Sequence, residues 1–219
     1  MDASAYAAER FAAVLEGTPV ALTYAGKPAE LGFSPAVETA REDGCTVLTR
    51  EAVTPDGACR VTLTIRLFEA AAEWYLTLTN TSAADSARFT DLRYCDLTIP
   101  CPQYNGSLYP RVMWSRGSNA DDDDFMFESR RMHMSPVLRM GSHSGRASDT
   151  GFMPYVCVAA APDRGVILAS GFSGSWGGTT FPQPTRANSS TRAAASSVFM
   201  GDLLYPVRRD AGPSSILYL

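Results

Sequence analysis

No stretch of this sequence approaches the ~18 consecutive apolar residues that a membrane-spanning helix needs. Its opening, MDASAYAAERFAAVLEG, carries acids where a signal peptide places a basic segment before an apolar one. Both absences predict a soluble chain, and no membrane partner is called for. Basic charge is short as well: 19 Lys+Arg against 23 Asp+Glu leave a net charge of −4, so the long-range field offers nothing to the phosphates of nucleic acid. Lysine itself is nearly missing, Lys27 being its one occurrence, a compositional bias to which no function is assigned. The five cysteines, Cys45, Cys59, Cys95, Cys101 and Cys157, include no C-x-x-C pair, which removes the usual zinc and redox spacings. They read as free core thiols of a cytoplasmic protein. The sequons at Asn80, Asn105 and Asn188 are then chance matches.

Also missing beyond residue 45 is any convincing helix-period segment, so a parallel βαβ nucleotide-binding fold lacks its crossover helices. No repeat and no low-complexity linker divides the chain. What is present is strand pattern. Residues Arg60 to Phe68, RVTLTIRLF, place Val61, Leu63, Ile65 and Leu67 in alternation with Arg60, Thr62, Thr64 and Arg66, the mark of a strand with one buried face. Trp74 to Thr79 repeats it, and Asn80 to Ser86 supplies the turn into a strand over Ala87 to Leu97. Further strands are expected over Thr46 to Arg50, Ser107 to Trp114, Tyr155 to Ala160, Val166 to Ser170, Ala194 to Leu203 and Ser215 to Leu219. An Ala-rich helical turn or two fits residues 2 to 16, with Tyr6, Phe11, Val14 and Leu15 as its apolar stripe. With 219 residues, 45% of them hydrophobic, and turn signals every 8–12 residues or so, the pattern predicts a single all-β sandwich or barrel over residues 1–219.

The irregular stretch Ser115 to Ser148 holds the acidic run Asp121, Asp122, Asp123 and Asp124, both histidines (His133 and His143) and four arginines (Arg130, Arg131, Arg139 and Arg146). The acidic run lacks the EF-hand's glycine and glutamate spacing, so it reads as a solvated loop or one held by the nearby arginines. The histidines have no metal-ligand companions, and no metal or cofactor is expected. GSHSG, Gly141 to Gly145, superficially matches a nucleophile elbow but centres on His143 and lacks the strand-to-helix context. Carboxylates could form a glycosidic acid/base pair from facing strands, yet Glu69 with Glu73 and Asp91 with Asp96 read as turn and rim residues. In GVILASGFSGSWGG, Gly165 to Gly178, a buried strand over Val166 to Ala169 empties into a glycine-rich bend presenting Trp176. That indole can stack on the apolar face of a sugar or plug a domain interface. Trp114 poses the same choice, whereas Trp74 reads as core.

Five segments together resemble the N-terminal β-supersandwich domain that precedes the (β/α)8 barrel in bacterial α-galactosidases of glycoside hydrolase family 36. They are EWYLTLTNTS (Glu73 to Ser82), RFTDLRYCDL (Arg88 to Leu97), RGSNADDDDF (Arg116 to Phe125), GSHSGRASDTGFMPYVCV (Gly141 to Val158) and GVILASGFSGSW (Gly165 to Trp176). The last is similar to the family's Gly-Val…Ile-Gly-Trp-Ser-Gly-Gln-Trp signature, with Phe172 in place of the first tryptophan and Ser175 in place of the glutamine. Ala147 and Tyr155 also depart from the pattern. The resemblance runs from about Phe11 to Leu219. It implies a galactose-mutarotase-like two-sheet sandwich that supports the barrel, shapes the active-site rim and takes part in homo-oligomer contacts. A (β/α)8 barrel takes typically ~250 residues, so the resemblance implies no counterparts here for the catalytic carboxylates. The expected partners are a galactoside-type carbohydrate, a downstream barrel and further copies of the chain. The surface expected to face barrel or sugar comprises Phe172, Ser173 and Trp176 of the bend, the Asp121 to Asp124 loop, Trp114 and Arg146. Two other readings stay open: an aldose mutarotase-like enzyme using His133 or His143, and a stand-alone carbohydrate-binding module.

Overall fold

The computed structural model describes residues 15–42, 44–68, 71–93, 95–101, 111–117, 125–132, 138–142, 148, 151–161, 164–171, 177–183, 194–200 and 217–218. Its strands in chain order are β1 (Ala21–Tyr24), β2 (Lys27–Pro28), β3 (Val37–Glu42), β4 (Cys45–Val53), β5 (Cys59–Leu67), β6 (Ala72–Asn80), β7 (Phe89–Arg93) and β8 (Leu97–Cys101). They continue with β9 (Arg111–Ser115), β10 (Phe127–Arg131), β11 (Leu138–Gly141), β12 (Tyr155–Ala161), β13 (Arg164–Ala169), β14 (Gly177–Gln183), β15 (Ala194–Met200) and β16 (Leu217–Tyr218). The fold is all-β, with antiparallel sheets in a sandwich-like arrangement. The helical turn expected over residues 2 to 16 lies outside the described residues up to residue 14; Leu15 is helical and Gly17 is in a bend.

The chain divides into two compact units, Met1–Cys95 with Asp202–Leu219, and Asp96–Gly201. The first unit holds a three-stranded sheet, β2-β1-β7, and a five-stranded sheet, β16-β6-β5-β4-β3. Its core follows from the period-two pattern on β5: Val61, Leu63 and Ile65 are fully buried while Arg60 is exposed, because an antiparallel strand with one wetted face alternates its side chains. Leu63 lies between Arg50 of β4 and Leu76 of β6 in the ladder, so Arg50 projects onto the core face and is only 5% exposed. Its Nε donates to the Ser34 carbonyl at 2.9 Å and its Nη1 to the Gly17 carbonyl, with the guanidinium 5.5 Å from the Phe33 ring centroid. Burial pulls this guanidinium below its ordinary pKa. One arginine thereby pins two chain segments preceding β3 onto the sheet.

Two turns of this unit carry their own chemistry. Ala25 and Gly26 both take positive φ, 51° and 76°, and join paired residues Tyr24 and Lys27, as a two-residue hairpin loop of the primed type requires. Between β4 and β5, Thr54-Pro55-Asp56-Gly57 closes with the Gly57 amide on the Thr54 carbonyl at 2.8 Å. Asp56 accepts from the Ala58 amide (3.0 Å), the Thr54 hydroxyl (2.8 Å) and the Tyr24 hydroxyl (2.9 Å). The bond from Ala58 first, then that from Thr54, holds the Asp56 carboxyl below its usual range. A depressed carboxylate contributes stability above its unfolded pKa and loses it as pH falls through the folded value. Asp56→Asn is therefore expected to lower the melting temperature at pH 7 and to flatten its decline below about pH 4. Parallel acid titrations of wild type and variant, followed by circular dichroism, check this.

The second unit holds two four-stranded sheets, β10-β9-β12-β13 and β11-β14-β15-β8. Val112, Trp114, Val156, Val158 and Leu168 form the buried face of the first of these. Gly165 on β13 faces Val158 so closely that a Cβ would meet the Val158 carbonyl oxygen at 3.0 Å. Cys45, Cys59, Cys95 and Cys157 form no disulfide, and burial pushes the Cys59 and Cys157 thiols up, which keeps both protonated at neutral pH.

Two expectations are corrected. The strand read as continuous from Ala87 to Leu97 is broken: β7 ends at Arg93 and pairs with β1, while β8 begins at Leu97 and pairs with β15 in another sheet. The stretch Val166 to Ala169 is not a fully buried strand but an edge strand, Leu168 being 6% and Ile167 72% exposed.

Candidate functional site

Among the expected site residues, Trp114 is described. It lies on β9, directly across from Glu128 on β10, with its indole 6% exposed. The Phe152 ring lies 5.7 Å away between centroids at an interplanar angle of 35°, and the Arg130 guanidinium sits 5.9 Å from the indole centroid. A cation at that distance from an indole is attracted by the ring's negative face. The ring is thus enclosed by an aromatic and a cation, and little of it is left for a sugar to stack on.

The β9–β10 hairpin also builds the base of the acidic loop. Arg116 donates its amide to the Met126 carbonyl at 3.0 Å and its Nε to Glu128 Oε1 at 3.0 Å. The Ser115 hydroxyl donates to the Phe125 carbonyl at 2.9 Å, and Phe125 takes a φ of 61°. These bonds join the end of β9 to the start of β10, the two strands that flank the run Asp121, Asp122, Asp123 and Asp124 in sequence. Those four residues lie outside the described part, as do Arg146, Phe172, Ser173 and Trp176. His133 and His143 lie outside it too. Gly171, which opens the Trp176 bend, is described and exposed.

Two of the carboxylates considered for acid/base work are paired with arginines. Glu73 pairs with Arg66 at 3.2 Å across β5 and β6, and Asp91 with Arg93 at 3.5 Å, while Glu69 lies outside the described residues. Among the described residues no three His, Cys, Asp or Glu side chains converge to hold a metal, and no helix is long and apolar enough to cross a membrane. Sequence reading did not pair Arg130 with Trp114. The signal available was the length of the connection between Trp114 and Glu128, which an antiparallel hairpin could bridge, but β10 reads FESRR and shows no apolar alternation.

Against known proteins, no family model and no curated protein sequence matches the chain. Solved structures do. The GH36 α-galactosidase AgaA from Geobacillus stearothermophilus superposes with a TM-score of 0.60 at 12% identity, over 92% of this chain and 30% of that one. The chain has the fold of a GH36 α-galactosidase domain. The α-galactosidase from Lactobacillus brevis gives a TM-score of 0.56 at 11% identity over 86% of this chain and 28% of its own. The galactosidase domain of the α-galactosidase-sucrose kinase AgaSK gives 0.53 at 13% identity over 91% and 28%. AgaA variants matched by the same GH36-like fold were solved in complex with raffinose and with stachyose. The chain spans about 30% of the length of AgaA.

Proposed function

We propose that the chain is a non-catalytic domain of an α-galactosidase-like glycoside hydrolase, which buttresses a catalytic barrel and shapes the rim of its active site. The observation that carries this reading is the asymmetry of coverage: nearly all of this chain superposes on less than a third of AgaA. Function does not follow from fold alone, but the five sequence segments named above occur in the order the GH36 sandwich requires. In this reading the acidic loop and the bend from Gly171 to Trp176 face the barrel or a galactoside, and the protein is soluble and cytoplasmic. Of the carboxylates considered for acid/base work, Glu73 and Asp91 are each paired with an arginine.

The purified chain is expected to leave p-nitrophenyl-α-galactoside intact and the anomerisation of galactose at its spontaneous rate. Chromogenic assay and polarimetry measure the two. Hydrolysis by the chain alone overturns the proposal, and so does an accelerated anomerisation that disappears in His133→Ala or His143→Ala, which would establish the mutarotase-like reading instead.

A further inference from the structure

At the open end of the β9–β10 hairpin, away from its connection, arginine is set against arginine. Arg131 and Arg111 are directly opposed in the ladder, so their side chains share a face and their like charges repel. Both are partly buried, and water therefore screens them less than it screens fully exposed charges. Among the described residues neither forms an ion pair. The one acid on the four strands of this sheet, Glu128, is an odd number of residues from Arg131 and lies on the other face. There Arg116 holds it at 2.9 Å.

None of the residues that the ladder places on the arginines' own face is acidic. The row of the pair continues across the sheet as Ala159 and Gly165, whose side chains are too short to answer a charge. The next row is Ser129, Met113, Cys157 and Ile167. Arg111 donates to the Ser129 hydroxyl, which turns its guanidinium along the strands toward that row and leaves the serine hydrogen to point elsewhere. Two guanidinium groups and a hydroxyl thus occupy neighbouring positions at one corner of the sheet, with no carboxylate among them.

We propose that this corner is a binding site for the phosphate group of a phosphate monoester. Charge decides among the candidate anions. A carboxylate is planar and matches one guanidinium fork, so it answers one arginine and leaves the other repelled by nothing less than before. A phosphate monoester carries close to two negative charges and three strong acceptor oxygens, enough for both guanidinium groups and the Ser129 hydroxyl together. A diester, as in nucleic acid, brings one charge per phosphate, and the chain's net charge of −4 opposes a polyanion.

The second row sets the rest of the ligand. Met113 and Cys157 are partly exposed and Ile167 is 72% exposed, so an apolar body beside the phosphate is favoured over a polar one. By strand spacing and rise this face measures roughly 200 Å², the scale of a small molecule and far below the ~800 Å² per partner of a protein interface. The site goes beyond the glycoside hydrolase reading and requires nothing from it.

Titration of the isotope-labelled 219-residue chain with inorganic phosphate tests the site, followed by nuclear magnetic resonance at about pH 8, where phosphate is dianionic, and at constant ionic strength. Saturable shifts of the β9 and β10 amides are expected, with a dissociation constant on the order of 1 mM. Arg131→Gln, an edge-strand substitution that keeps the fold, is expected to weaken binding about tenfold or more. Melting temperature gives an independent sign. Without phosphate, Arg131→Gln and Arg131→Glu are expected to melt about 1–3 °C above wild type, because the repulsion is relieved. Phosphate at roughly ten times its dissociation constant is expected to raise wild type by about 3–6 °C more than either variant. General exclusion of phosphate from protein surfaces raises all three alike, so the difference is the measure. Phenyl phosphate is expected to bind about three- to tenfold more tightly than inorganic phosphate, through Met113 and Cys157. Absent or unsaturable shifts, equal affinity in Arg131→Gln, or an equal thermal response in all three chains overturns the site. Phenyl phosphate binding no tighter than inorganic phosphate overturns the assignment of the second row to the ester's apolar body.

Discussion

Replacing Arg50 by methionine is expected to lower the stability of the protein by about 2–4 kcal/mol, in spite of adding an apolar side chain to an apolar site. The stem of Arg50 crosses the core face beside Leu63, and methionine retains most of that packing. What it loses is the fork. The Gly17 and Ser34 carbonyls that accept from the guanidinium are left behind without their donor, and an orphaned partly buried acceptor costs about 1–3 kcal/mol. This differs from replacing a whole buried ion pair with apolar groups, which is often neutral or stabilising because both partners go at once. Arg50→Lys should fall between the two, since a single ammonium cannot span two carbonyls in the planar geometry that the guanidinium does. For a chain of this size the methionine variant should melt roughly 4–16 °C lower. Urea titration and differential scanning calorimetry measure the effect. An unchanged midpoint would show that the segments at Gly17 and Ser34 are held by something else.

Arg50 also marks where the sequence was legible and where it was not. The strands β5 and β6 stood out because apolar and polar residues alternate along them, and the fully buried set Val61, Leu63 and Ile65 was the one that period-two reading selects. On β4 the same reading failed to foresee that a charged residue would take a core position, because its partners are main-chain carbonyls that leave no trace in the sequence. The missed strands share a cause. VETARE on β3 and FESRR on β10 sit at sheet edges, where charged side chains protect an unpaired edge and erase the apolar alternation. The segment GGTTFPQ on β14 has glycine and proline at positions that ordinarily signal a turn. The break between β7 and β8 could not be read because Ala87 to Leu97 is apolar enough for one strand, and only the pairing of its two halves in different sheets interrupts it. For the candidate site, pattern located the strand ending at Trp114 and the strand leading to the Trp176 bend, but not β10, which makes the hairpin with β9. It could not separate a tryptophan that packs from one that binds, since composition is the same in both cases and enclosure is a tertiary property.

Trp114 is where that distinction can be measured, and Trp114→Ala carries the largest expected effect. The indole is 6% exposed and packed beside Phe152 and Arg130, so truncation removes a large buried ring and leaves a cavity that rigid strand neighbours cannot collapse into. Aromatic-to-alanine changes in such positions cost about 3–5 kcal/mol, a large part of the total stability of an ordinary domain, about 5–15 kcal/mol. The alanine variant should lose its near-ultraviolet circular dichroism and the cooperative melting of the unit Asp96–Gly201. Trp114→Phe retains an aromatic body and is expected to lose only about 1–2 kcal/mol, keeping the fold. The phenylalanine variant therefore separates packing from binding. If Trp114 packs, titration with raffinose followed by nuclear magnetic resonance gives the same response in wild type and Trp114→Phe. If sugar-induced shifts vanish while the melting temperature holds, the indole touches the sugar, and the enclosure formed by Phe152 and Arg130 must open to admit it.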